Sequence, residues 1–240
     1  MNLVHKILKK IWYEKWILRS ILTSIYFNLK YLPFKQAIKL PILLYKPNFI
    51  KLKGQIIIDS PQVKFGMIQL GRPNVPIFPN NGIILENRGG TIRFRGKCVI
   101  GNNSSISIGE KGHLTIKNNF IASTTIKIIC WYKIIFNENT RVGWDCIFLD
   151  YDFHCMTKLP SMTKTKGYGE IIIGKNNWFG SFCRIYKRTK TPDYCTITSN
   201  SILNEKYDYP PYCIIGSNSR TSVKHQNIYR DINNDVISIV

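Results

Sequence analysis

The sequence predicts a mainly β chain: a solenoid of short parallel strands behind an N-terminal α-helical segment, with a short C-terminal tail. Three observations carry this. In IIIGKNNWFGSFCRIY, apolar residues fall six apart at Ile173, Phe179 and Ile185, and the first two are each followed by glycine. A helix turns about 100° per residue and would scatter these positions over three faces; on an extended chain a step of six keeps them on one side, yet GKNN is poor strand material. The frame also recurs. Ile100-Gly101 leads to Ile106; Phe136, Val142 and Phe148 keep one phase; after the segment from Asp150 to Glu170 it returns, shifted by one, at Ile173, skips Thr191 and resumes at Ile197 and Leu203. Finally, a small residue often stands four positions after the apolar one: Ser104, Cys146, Cys183, Ser201. Large, glycine and small residues at a fixed period describe stacked coils with flat sides and tight corners.

Residues 1–48 read as a basic amphipathic helix followed by a connector marked by Pro33, Pro41 and Pro47. On that helix Ile11, Leu18, Leu22, Ile25 and Leu29 fall near one face, with Lys9, Lys10, Lys15 and Arg19 elsewhere. It has two readings: packing against the protein's own body, or lying on an anionic membrane with Trp12 and Trp16 at headgroup level. The apolar run from Ile21 to Phe27, bounded by Arg19 and Lys30, is too short to span a bilayer. From 49 to 216 the chain breaks into β-rich runs of three to five residues separated by Gly, Asn and Lys, which supply the tight backbone conformations of corners. Residues 217–240 form the tail. Inside the solenoid, the segment from 151 to 170 drops the frame and projects as a polar, lysine-bearing loop carrying His154.

The chain is 240 residues long, enough for one sizeable domain with an appendage, and its 44% hydrophobic content is that of a folded protein. A net charge of +20 favours anionic partners, but no nucleic-acid motif accompanies it. Seven cysteines, odd in number and without a CxxC pair, argue against a disulfide scaffold or zinc ribbon; they fit packing residues kept reduced in a cytosol.

The run IGKNNWFGSFCRI resembles the hexapeptide-repeat acyltransferases, whose fold is a left-handed parallel β-helix. YKRTKTPDYCTITSNSIL follows like that family's last coils, and YPPYCIIG is similar to its closing proline turn. The nearest subgroup is the bacterial maltose, galactoside and colanic-acid type of O-acetyltransferase, and the likeness covers about Lys51 to Lys224.

The resemblance implies a cytoplasmic homotrimer, associated at most peripherally with the membrane, that transfers an acetyl group from acetyl-CoA to a sugar hydroxyl of a cell-surface polysaccharide. Such a transfer needs a base for the acceptor's proton, and imidazole titrates in the right range. The family places that base at His154, with Asp152, or alternatively Asp150, orienting the ring. For the donor it implies Gly180 and Ser181 near the thioester, with the Gly180 N–H on the developing oxyanion. Ser199 and Ser201 would lie along the pantetheine, and Lys187, Arg188, Lys206, Arg220 and Lys224 would be candidates for the phosphates. Trp178, the aromatic of the family's WFG, would line a pocket or pack at a corner. Two departures stand out: Gly216-Ser217-Asn218-Ser219-Arg220 replaces the family's GNPA closure, and Arg188, Thr191 and Pro192 replace regular coil residues. The related γ-class carbonic anhydrases need three zinc histidines, and His113, His154 and His225 are not spaced as ligands, so no metal is expected. The alternatives are an N-acyltransferase acting on an amine and a non-catalytic solenoid binding module.

Overall fold

The frequent Gly and Asn corners leave only short strands, from six residues at Pro47–Leu52 down to two at Arg141–Val142. The computed structural model describes residues 3–216 and 228–229; of residues 3–15, 17, 228 and 229 it describes the backbone alone. The strands stack into three parallel sheets, here faces A, B and C, visited in that order. Face A runs from Ile42–Leu44 through Cys98–Gly101 and Trp178–Phe179 to Ile214–Ile215. Face B runs from Pro47–Leu52 through Ile147–Leu149 to Ile202–Leu203, and face C from Gln55–Ile58 to Ile171–Ile173. Parallel bridges from Ile172 to Lys190 and from Lys190 to Lys206 carry face C onward. Every pairing within the three faces is parallel, which is the architecture of a parallel β-helix.

The six-residue step has a simple meaning here: it moves an inward side chain from one face to the next. Phe136, Val142 and Phe148 point inward from faces C, A and B, and Ile173, Phe179 and Ile185 repeat this one coil later. Trp178 pairs with Thr196 and Thr196 with Ile214, 18 residues per coil. Earlier coils are larger, Ile68 pairing with Cys98, 30 residues on. The core is a column of such residues. Phe120, Phe136, Phe148 and Phe179 are fully buried and meet edge to face or tilted at centroid distances of 4.8, 4.8 and 5.4 Å. Each such contact adds about 0.5–1.5 kcal/mol to the burial itself.

Thr191, where the sequence frame lapses, occupies the inward position of its coil. Its hydroxyl donates to Asn177 Oδ1 at 2.6 Å and accepts from Gly174 N at 3.0 Å. The C-to-A corner uses residues with positive φ, Asn119, Asn139 and Asn176, whose amides form a ladder: Asn119 Nδ2 donates to Asn139 Oδ1 and Asn139 Nδ2 to Asn176 Oδ1, both at 2.8 Å. This is what the NN of GKNN does.

The first coil begins inside the connector, at Ile42–Leu44. It is capped by α1 (Leu3–Tyr31) and the single-turn α2 (Phe34–Ala37), which are separated at Pro33. Asn28 receives Ile42 N at 3.1 Å and donates to Ile42 O at 2.7 Å, and Ser24 Oγ accepts from Leu44 N at 3.0 Å. Phe27 stacks on Phe49 of face B at 5.7 Å, and Gln36 reaches Ile58 O of face C at 3.4 Å. Tyr31 Oη donates to Leu52 O of face B at 3.0 Å, so helix side chains give hydrogen-bond partners to edge backbone groups on all three faces. Trp16 is buried against Tyr45 at 6.2 Å, which corrects the expectation that it lies at a headgroup level; the Trp12 side chain lies outside the described residues.

Candidate active site

The excursion leaves face B after Ile147–Leu149 and returns to face C at Ile171–Ile173. Its root is Asp150, fully buried at the B-to-C corner. Oδ1 accepts from Trp131 N at 2.8 Å; Oδ2 accepts from Tyr132 N at 2.9 Å and Lys133 N at 2.6 Å. Burial pushes this carboxyl above the usual range, against three backbone donors that pull it down. Gly169 N donates to Asp150 O at 3.0 Å and Asp152 N to Gly167 O at 2.6 Å, so the two limbs close over the corner. Asp150 is therefore a structural clamp for the corner.

Aromatic rings from the preceding coil support the limbs. Trp131 meets Phe153 at 4.8 Å and Tyr151 at 5.8 Å, Tyr132 meets Tyr168 at 4.8 Å, and Tyr151 lies parallel to Tyr168 at 6.1 Å. Phe153 takes a positive φ of 65°, which turns the chain into half-buried His154. Farther out, Thr157–Lys158 and Thr163–Lys164 pair antiparallel, and Ile228–Tyr229 adds to the first of these.

The next coil packs beneath. Lys187 Nζ donates to the Asp152 carboxylate, and Glu170 is bracketed by Lys133 and Lys190. Burial, and then Arg188, lower the pKa of Lys187. A Cβ on Gly169 would stand 2.8 Å from Arg188 Cγ and 3.3 Å from Arg188 N, so the returning limb passes close against the next coil. Exposed Arg188 itself has φ 72°. Asp152, His154, Lys187 and Arg188 thus share one corner.

The expected donor residues stand elsewhere, on face A and the A-to-B corner. Trp178 is 57% exposed on the outside of face A, between Arg141 and Thr196. A Cβ on Gly180 would meet Ser199 N at 2.6 Å, and Ser181 Oγ accepts from Trp144 N at 3.2 Å. Two expectations change. Gly180 N donates to Ile197 O at 2.8 Å within the parallel ladder, so it is not turned to an oxyanion. Ser201 is fully buried, with its hydroxyl donated to Thr198 O at 2.6 Å; its side chain fills the inner corner below Cys183 and does not face a pantetheine. Ser199 is exposed, and Lys206 pairs with Asp208 at 2.8 Å. Arg220, Lys224 and His225 lie outside the described residues. Among the described residues, no three His, Cys, Asp or Glu side chains gather as a metal site.

Within one chain the two groups are held apart by the width of face B, where Arg184–Tyr186 is three residues long, about 10 Å. The aromatic floor under the limbs of the excursion was not legible beforehand, because Trp131 and Tyr132 precede it by a full coil and no short motif joins them.

No protein-family model matches the chain, and no solved structure matches it. A Klebsiella pneumoniae protein described as an uncharacterized 24.8 kDa protein in the cps region is 27% identical over 137 residues. The match covers 56% of this chain and 60% of that protein.

Proposed function

We propose that the chain is an acyltransferase of the left-handed β-helix type, moving an acetyl group from acetyl-CoA to a sugar hydroxyl during cell-surface polysaccharide synthesis. One observation carries the reading. His154 sits on the segment that leaves the solenoid, and that segment is rooted by Asp150, floored by aromatic rings and tied to the next coil through Asp152 and Lys187. A rigid root under a projecting histidine suits a positioned base. A relative described by its place in a cps region fits a capsule-related role.

His154 takes the proton of the acceptor hydroxyl as its oxygen attacks the thioester carbonyl. The C–S bond then breaks, and the imidazolium returns the proton to the CoA thiolate. Asp152, held by Lys187, positions the limb that bears the base. The Gly180–Ser181–Ser199 corner, with Trp178, serves the donor. Since these groups stand at opposite edges of face B, the complete site forms where the B-to-C corner of one subunit meets the A-to-B corner of another, in a homotrimer.

His154→Ala is expected to lower acceptor-dependent CoA release by roughly 100- to 10,000-fold while leaving assembly and melting unchanged. Turnover of that variant near the parent rate would sink the assignment.

A further inference from the structure

We propose that the outer face of α1 and α2 is a docking surface for an anionic lipid bilayer. The apolar stripe of α1 is not the side that packs. The solenoid instead receives Trp16, Ser20, Ser24, Phe27 and Asn28, because its open edge needs hydrogen-bonding side chains. Leu18 and Leu22 are 74% and 79% exposed, and Tyr26 and Leu29 are each more than half exposed. On an α-helix positions 18, 22 and 29 fall within about 40° of one another, so these leucines form one ridge. Phe34 and Ile38, in and just after α2, are exposed as well, at 72% and 59%. An amphipathic helix that turns its polar side inward and its leucines outward is the reverse of a core helix.

Charge selects the occupant. From Lys15 to Lys53 the sequence holds eight lysines and arginines and no Asp or Glu. Arg19, Lys30, Lys35 and Lys39 are exposed beside the ridge. A second copy seated on this face would bring these cations against themselves with a single acidic residue, Glu14 one turn before Leu18, to answer them. A bilayer with anionic headgroups takes both the leucines and the cations. Among the described residues no helix is long and apolar enough to cross a membrane, so the helix lies in the interface. Because α1 and α2 cap the first coil, the solenoid would stand on the bilayer by its end. The strand rooting the His154 excursion is four steps along face B from Pro47–Leu52, about 20 Å at the usual strand spacing. The proposal does not depend on acyl transfer.

The test is sedimentation of the full chain with vesicles of phosphatidylcholine alone and of phosphatidylcholine with phosphatidylglycerol. Binding is expected only to the anionic vesicles and is expected to weaken in 1 M salt. Leu18→Gln and Leu22→Gln, both at solvent-facing positions, should each weaken it roughly tenfold without lowering the melting temperature. The proposal is overturned if the anionic vesicles do not bind. It is also overturned if the double variant binds as the parent does, or if analytical ultracentrifugation shows the double variant dissociating a helix-mediated oligomer that ignores vesicles.

Discussion

The carboxylate of Asp152 accepts a hydrogen bond from the ammonium of Lys187, joining the outgoing limb of the excursion to the corner of the following coil. The pair spans 35 residues of sequence but only one step of the stack. It is half-exposed, and its contribution is to position rather than to stabilise. Asp152→Asn is therefore expected to lower kcat by up to about 100-fold through displacement of the His154 limb, while calorimetry shows a stability change below about 1 kcal/mol. A large loss of stability with kcat preserved would contradict this division of roles.

Asp150 behaves differently. An amide there offers one acceptor oxygen and turns an NH2 group toward backbone N–H donors. Asp150→Asn should cost about 2–3 kcal/mol, read as a lowered denaturation midpoint with an unchanged slope. A variant as stable as the parent would show that the three backbone bonds do not clamp the corner.

Thr191 offers a test in which improving the repeat should harm the protein. Thr191→Val places an apolar side chain where the six-residue frame asks for one. It also leaves Asn177 Oδ1 and Gly174 N without the hydroxyl that serves both. Destabilisation of about 1–3 kcal/mol is expected in chemical denaturation; a gain in stability would refute the account.

Glu170 gives a pH signature. Hydrogen bonds from Lys190 and then Lys133 hold its carboxyl below the ordinary value. Its folded pKa is thus depressed, so the stability it adds is present above the unfolded value, about 4.3, and is lost as pH falls through the lower folded one. The stability difference between the parent and Glu170→Gln should be constant from neutrality to about pH 5 and vanish under stronger acid. Its size is at most about 1 kcal/mol, since both lysines reach solvent.

Legibility along the sequence followed coil length. Where coils are 18 residues, as from Trp178 to Ile214, each inward residue recurs after six and the frame can be counted. Where strands lengthen to five or six residues and the coil to 30, the same architecture carries no fixed period, and the strand at Ile42–Leu44 passed for a connector. At the site, the break in the frame pointed to the segment that carries His154. The floor beneath it, Trp131 and Tyr132, stayed hidden because ring contacts join residues 20 to 36 positions apart whose identities obey no common pattern. Gly180 and Ser201 were matched by motif, but a motif does not say whether an N–H or a hydroxyl is already spent on the neighbouring coil.

The cap formed by Ser24 and Asn28 bears on how this chain avoids growing. A stack of parallel strands ends in a row of unpaired backbone groups, an open template on which a further strand, or another molecule's last coil, would add and so begin a fibre. By giving Ile42 and Leu44 side-chain partners instead of backbone ones, α1 closes that template at the first coil. The polar residues on the inner side of the helix therefore act as a stop, and the protein keeps a fixed length at this end of the stack.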